Sequence, residues 1–333
     1  MRYLYVDPRK KTGNYGDHII GYATEKLMAQ YLPEPDGVFD SKTGEYPPGQ
    51  YDFMIVPGVT MITAGAQPGL ESISEFPWPT YCLAGAVWTG AGRPGVLVRR
   101  RILFRKDLSE PDLRIVNQLK DPVGARDPFT FDTLHRHDIE TLYTGCPTIL
   151  GLPADNCSDD GYVLFSFGRR RLRKQAREAD GLRRRRPVVG IVHEEGVSDR
   201  LRAAGWRGPI VEYTGDIELY LSYFRRASMV VTGRLHGALP GLRYGKPVFY
   251  FGTRDTRTSL LNDLGVPIYD YDGIHRALDL ASDHYNRELV DRFRRRWDLL
   301  MNTILSRHGN GPNSGVRNTT MSTTRDPSHS MDD

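Results

Sequence analysis

Two successive open α/β sheets, one in each half of the chain, are the fold this sequence predicts. Three observations carry the prediction. Short apolar runs bounded by turns alternate with amphipathic helical patterns, the signature of repeated βα units. The alternation breaks in a turn-rich segment at 144–160 (TGCPTILGLPADNCSDD) and then restarts. A length of 333 residues suits two units of ordinary size. The expected divisions are 1–150, 151–307 and a polar tail at 308–333, which holds too few apolar residues to order itself.

In the first half, Tyr3–Val6 reads as a strand, followed by a Gly-rich turn. A helix from about His18 to Tyr31 carries Ile20, Ala23, Leu27 and Met28 on one face. Phe53–Val56, Tyr81–Val87, Pro122–Ala125 and Ile139–Tyr143 read as further strands, with a short helix through Phe131 and Leu134. In the second half the strands are Tyr162–Phe167, Val188–Val192, Ile210–Glu212, Met229–Thr232, Pro247–Phe251 and Ile268–Tyr269. Helices are expected at Ile217–Arg226, Leu235–Tyr244 and Ser259–Leu264, and a long one at about Asp283–Ser306. Ligands of open α/β sheets bind beyond the carboxyl ends of the strands, so the cleft between two such sheets is the expected site.

Composition narrows the function classes. Hydrophobic residues make up 39% and charged residues 26%, a globular balance. There is no apolar run of 18 residues and no secretory leader pattern at the N-terminus, so a cytoplasmic location is expected. The three cysteines, Cys82, Cys146 and Cys157, form no CxxC pair and suggest neither a disulfide framework nor a zinc site. Net charge is +4. Residues 169–187 alone hold ten Lys/Arg against Glu178 and Asp180, so the rest of the chain is net negative. This gives no case for nucleic acid. The basic segment reads as a solvated helix and loop; the sharper reading is a peripheral contact with anionic lipid at the inner face of a membrane.

Four motifs follow strands. Gly13-Asn14-Tyr15-Gly16-Asp17 can turn sharply and offer helix-start amides to an anion, or be only a βα turn with Asp17 as cap; His18 adjoins it. Arg126-Asp127 places a guanidinium at a sheet edge, where it can grip a carboxylate or phosphate with two bonds, or be a surface pair that caps the next helix. Thr232-Gly233-Arg234-Leu235-His236 joins an anion-binding arginine to a histidine, the side chain that ordinarily titrates near pH 6.5 and can donate a proton. His193-Glu194-Glu195 offers a further ligand and a carboxylate base, or a solvated loop; it lacks the second histidine of a zinc helix.

Together these segments resemble the polysaccharide pyruvyl transferase family. Gly13–Asp17 looks like its N-x-G-D loop, Val123–Leu134 its R-D segment and short helix, and Arg234-Leu235-His236 with Gly245-Lys246-Pro247-Val248 its R-L-H motif and following strand. The chain departs from the family at Pro57-Gly58-Val59, where a Gly-Gly turn is usual, and at Cys146-Pro147-Thr148, where a Pro-Asp pair is usual. The resemblance implies a glycosyltransferase-B-like fold of two Rossmann-type domains with an interdomain cleft, the acceptor on the N-terminal side and the donor on the C-terminal side. It implies transfer of a pyruvyl group from phosphoenolpyruvate to a sugar of a surface polysaccharide or glycolipid, the acceptor free or lipid-linked.

On that reading Arg126 and Arg234 bind the donor, with Gly13, Asn14, Gly16 and Leu235 around it, and His236 is the acid. Asp17 or Glu195 deprotonates the acceptor, and His193 and His18 are substrate-binding candidates. The chemistry calls for strong anion binding and one placed acid, without a metal or cofactor. Two rivals stand beside it. One is a nucleotide-sugar glycosyltransferase of the same fold, with Glu212 or Glu218 on the ribose. The other is a catalytically silent member that binds glycans or partners.

Overall fold

The first strand, β1 (Tyr3–Asp7), is buried along its whole length, as expected of a strand covered on both faces. In the computed structural model the described residues are 1–7, 9, 13–40, 44–58, 62, 76–87, 108–252, 258–281 and 285–309. The polar tail therefore lies outside them apart from His308 and Gly309, as do Val59 and Asp283.

β1, β2 (Gly37–Asp40), β3 (Phe53–Val56) and β4 (Thr80–Cys82) form a parallel sheet in the order β2-β1-β3-β4. β5 (Val123–Ala125) and β6 (Thr141–Tyr143) pair in parallel with each other. β5 joins the end of the first sheet through the parallel bridge Gly85–Ala125. The predicted strand Tyr81–Val87 is shorter than expected, because residues 83–87 turn towards β5. β2 was not foreseen; its four residues, GVFD, carry too little apolar alternation to announce a strand.

Helix α1 (Tyr15–Met28) starts three residues earlier than the apolar pattern suggested. Its cap is Asn14, whose Oδ1 accepts from Gly16 N at 3.2 Å, so Asp17 is not the cap. Helix α2 (Glu110–Val116) begins with a Ser109/Asp112 capping box. α3 (Pro128–His135) follows β5.

The turn-rich segment 144–160 contains a short buried helix, α4 (Pro147–Gly151), that its Pro and Gly content concealed. After it the second sheet begins, with order β12-β11-β10-β7-β8-β9, all parallel. Its strands are β7 (Val163–Phe167), β8 (Val188–Val192), β9 (Ile210–Val211), β10 (Met229–Thr232), β11 (Val248–Phe251) and β12 (Ile268–Tyr269). The helices that follow these strands are α5 (Leu172–Arg183), α6 (Val197–Ala203), α7 (Ile217–Arg226), α8 (Leu235–Arg243), α9 (Ser259–Asp263) and α10 (Ala277–Leu280).

The basic segment is largely α5. Its Leu172, Ala176, Ala179 and Leu182 enter the core while most of its arginines face solvent.

The last helix, α11 (Arg287–Arg307), is capped by Asn286 rather than starting near 283. It returns from the second half to the first. Trp297 Nε1 donates to Thr144 O at 3.1 Å, Arg296 to Tyr143 O at 3.1 Å and Arg294 to Leu150 O at 2.9 Å. One core cluster runs through both halves, from Tyr3 and Ile19 through Ile149 to Val230, Leu239 and Trp297. No helix among the described residues is long and apolar enough to cross a membrane.

Candidate active site

The carboxyl edges of the two sheets meet where the loop after β1 touches the loop after β8. Tyr15 N donates to His193 O at 2.7 Å, and Glu195 N donates to Gly13 O at 3.0 Å. Asn14 and Glu194 form an antiparallel bridge between these two contacts. Two sequence motifs 180 residues apart are thus laced together by their backbones.

Gly16 brings α1 against the second half. A methyl group on it would stand 2.9 Å from His236 Nδ1 and 3.2 Å from Asn14 Oδ1, so only a glycine allows this approach. Asn14 Nδ2 also donates to Asp17 Oδ1 at 3.0 Å. Asp17 is buried and belongs to the helix start. Glu195, by contrast, is exposed, and its Oε2 would lie 3.2 Å from a methyl on Gly13.

Arg234 and His236 flank the start of α8. Thr232 Oγ1 accepts from Arg234 N at 3.0 Å, which sets the turn out of β10. Leu235, the first residue of α8, is buried in the core rather than turned to the cleft. The Arg234 guanidinium pairs with Glu194 Oε1, and Arg169 Nε pairs with Glu194 Oε2 at 2.7 Å. Two arginines therefore share one carboxylate, Arg169 from the solvent side and Arg234 from a more sheltered one, leaving excess positive charge there.

Arg169 was not foreseen, because it opens a run of arginines that reads as solvated surface. The available signal was its position: it follows β7 as Arg234 follows β10. Its loop is built from below by buried Gln175, which accepts from Gly168 N at 3.0 Å and donates to the carbonyls of Gly168 and Arg170.

His193 is fully buried between the loops, its ring facing Tyr220 and Phe224. Neither ring nitrogen has a hydrogen-bond partner among the described residues. Burial, assisted by the positive charge of Arg234, pulls its pKa down to about 3. The resting protein therefore holds His193 neutral, unsuited to act as an acid at neutral pH. The sign of the stability effect follows: between pH 6.5 and 3 the unfolded chain binds the proton and the folded one does not. Stability is fully present above pH 6.5 and falls by roughly 1.4 kcal/mol per pH unit below it, on account of this one group. Urea unfolding at pH 7 and pH 5 is expected to show that loss in the wild type and a smaller one in His193→Asn. Equal losses in both would remove His193 as its source.

Arg126 lies at the carboxyl end of β5, on the same edge of the first sheet as the Gly13 loop. Its N–H donates to Gly85 O at 2.9 Å. It is 3% exposed, so it is not the surface pair that an isolated Arg-Asp suggests. Its Nη2 stands 3.6 Å from Asp127 Oδ2, and neither Nε nor Nη2 has a hydrogen-bond partner among the described residues. Asp127 caps α3, with Oδ1 accepting from Thr130 N at 2.9 Å. Burial raises the Asp127 carboxyl pKa, against the pull of Arg126. Arg126 therefore has unused donors inside the first half, whereas Arg234 is paired in the second. His18 is half-buried on α1, its ring 4.5 Å from that of Tyr213. Burial and then the charge of Arg9 lower its pKa.

Solved structures similar to this chain share its fold. UDP-GlcNAc 2-epimerase of Methanocaldococcus jannaschii, in complex with UDP-GlcNAc and UDP, aligns with TM-score 0.53 and 13% identity over 90% of this chain and 99% of that one. The Neisseria meningitidis UDP-GlcNAc 2-epimerase bound to UDP-GlcNAc gives 0.55 and 11% over 92% and 100%. MnaA of S. aureus with UDP gives 0.56 and 11% over 93% and 98%. The fold is accordingly GT-B-like, as the resemblance implied. No curated protein matches the chain. Residues 101–256, which hold Arg126, Arg169, Glu194, Arg234 and His236, match the model of the polysaccharide pyruvyl transferase family, the family that the motifs resemble.

Proposed function

We propose that this chain forms a pyruvate ketal on a sugar of a surface polysaccharide or glycolipid, with phosphoenolpyruvate as donor. The observation that supports it most is the Arg169–Glu194–Arg234 cluster beside His236, at the seam of the two loops. A small ligand bearing a phosphate and a carboxylate suits paired arginines, which bind such groups with two parallel bonds. Arg234 and Arg169 take one anionic group and Arg126, with its unused donors, takes the other.

His236 then protonates the methylene carbon of the enol, and the adjacent carbon becomes electrophilic. One sugar hydroxyl adds to that carbon, losing its proton to Glu195, which is exposed where Asp17 is buried. The bond from carbon to the phosphate oxygen breaks, and phosphate leaves. A neighbouring hydroxyl adds to the same carbon and loses its proton, closing the ketal. The positive charge around the leaving phosphate stabilises the step without any change in oxidation state.

The nucleotide-sugar reading draws on the ligands of the similar structures. It would place Glu212 or Glu218 on the ribose; Glu218 is already engaged by Tyr22 and by Arg225 at 2.6 Å, while Glu212 is exposed. Calorimetric titration separates the two. Heat of binding with phosphoenolpyruvate and none with UDP-GlcNAc is expected; the reverse would reject the donor named here.

A further inference from the structure

Beside the seam lies a set of aromatic rings that the chemistry above does not use. The Tyr15 and Tyr213 rings are 5.4 Å apart, and His18 is 4.5 Å from Tyr213. All three side chains are half-buried. Beneath them Tyr220 is fully buried, 5.9 Å from Tyr213 and 6.3 Å from Tyr15, and its hydroxyl donates to Val192 O at 2.7 Å. The Tyr213 hydroxyl donates to Gly215 O at 3.0 Å, which fixes that ring. The backbone of Tyr15 is held by its bond to His193 O. The rings thus form a shelf joined to the loop after β8 that carries Glu194.

Charges of both signs stand beside this shelf: Arg9, itself paired with Asp7 and Glu25, acts on His18 and Tyr213, and two carboxylates stand near Tyr15. Glu195 and Glu212 are exposed, and both lie close enough to Tyr15 to add, after burial, to the rise in its hydroxyl pKa. A neutral ligand rich in hydroxyls suits such a place: carboxylates accept from hydroxyls, and aromatic faces cover a flat C–H surface. A pyranose has both features.

We propose that the Tyr15–His18–Tyr213 shelf is where the acceptor sugar docks, with Glu195 and Glu212 accepting from its hydroxyls. The proposal rests on the pyruvyl transfer reading for the identity of the ligand as acceptor. It accounts for the placement of Glu195, which is exposed near Tyr15 and bonded to Gly13 at the seam. It also makes Tyr213 a residue that sets acceptor affinity while leaving donor affinity alone.

The test is saturation-transfer NMR with methyl β-galactopyranoside and methyl β-glucopyranoside, run beside phosphoenolpyruvate calorimetry on the same proteins. Signal transferred from aromatic protons to sugar C–H protons is expected in the wild type. Tyr213→Ala should weaken glycoside binding roughly five- to tenfold, the worth of one aromatic contact. Tyr213→Phe, which keeps the ring, should retain binding and serves as the folding control. Glycoside binding that tracks the Tyr213 ring supports the shelf even if phosphoenolpyruvate binds no form of the protein, in which case the donor reading falls alone. Two results overturn the shelf and leave the donor reading standing: transfer to neither glycoside while phosphoenolpyruvate binds, or unchanged glycoside affinity in Tyr213→Ala.

Discussion

His236→Gln is expected to lower turnover by about 10²–10⁴-fold while phosphoenolpyruvate affinity stays within a few-fold of the wild type. Glutamine keeps a hydrogen-bonding group at the start of α8 but cannot give up a proton to carbon. Anion binding rests on the guanidinium groups, and these are untouched. Measuring donor affinity by calorimetry and turnover at saturating donor on the same variant separates the two roles. Lost binding with normal residual turnover would make His236 an anion ligand. His193 is a poor substitute acid, since burial holds it neutral down to a pKa of about 3. Gly16→Ala approaches the same site from the other half. Its methyl group would crowd His236 Nδ1 at 2.9 Å, so it should also depress turnover more than donor affinity. A Gly16→Ala enzyme with wild-type turnover would show that the position of His236 against α1 is unimportant.

Arg234→Lys and Arg126→Lys are expected to weaken phosphoenolpyruvate binding by roughly ten- to a hundredfold each, the worth of one charged hydrogen bond at about 1.5–3 kcal/mol. Lysine keeps the charge but loses the planar fork. The two variants should differ in stability. Arg234 is about a quarter exposed, and Arg169 would still pair with Glu194 after its replacement. Arg126 is 3% exposed and faces Asp127, itself buried, so a lysine there must be desolvated in a space shaped for a guanidinium. Thermal unfolding should therefore fall more for Arg126→Lys than for Arg234→Lys. Wild-type donor affinity in Arg126→Lys would confine Arg126 to a structural role.

Much of this architecture was legible because buried parallel strands are written as short apolar runs. Phe53–Val56, Val188–Val192 and Met229–Thr232 were placed to the residue. The motifs at their carboxyl ends followed from the general behaviour of open α/β sheets. Elements with weak local patterns escaped. β2 is four residues with one aspartate, and α4 is five residues opened by a proline.

The pairing of Glu194 with both Arg169 and Arg234 has no local signal at all. It depends on which strand ends become neighbours in space: β7 lies between β8 and β10, so the loops after these three strands converge. The basic run hid Arg169 for a related reason, since nothing in a series of arginines marks the one that pairs with Glu194. The likeness in spacing between Gly13–Asp17 and a helix cap was real, but the cap is Asn14. The carboxylate of Asp17 takes the hydrogen bond from its side chain.

In the proposed transfer the methylene carbon of phosphoenolpyruvate receives a proton. Running the reaction in D₂O with phosphoenolpyruvate and a sugar acceptor, and analysing the product by NMR and mass spectrometry, follows that proton. Acceptor-dependent release of inorganic phosphate is expected, with a ketal whose methyl group carries one deuterium. Release of a nucleotide from a nucleotide-sugar under the same conditions, or a pyruvyl product whose methyl carbon has gained no solvent deuterium, would contradict it.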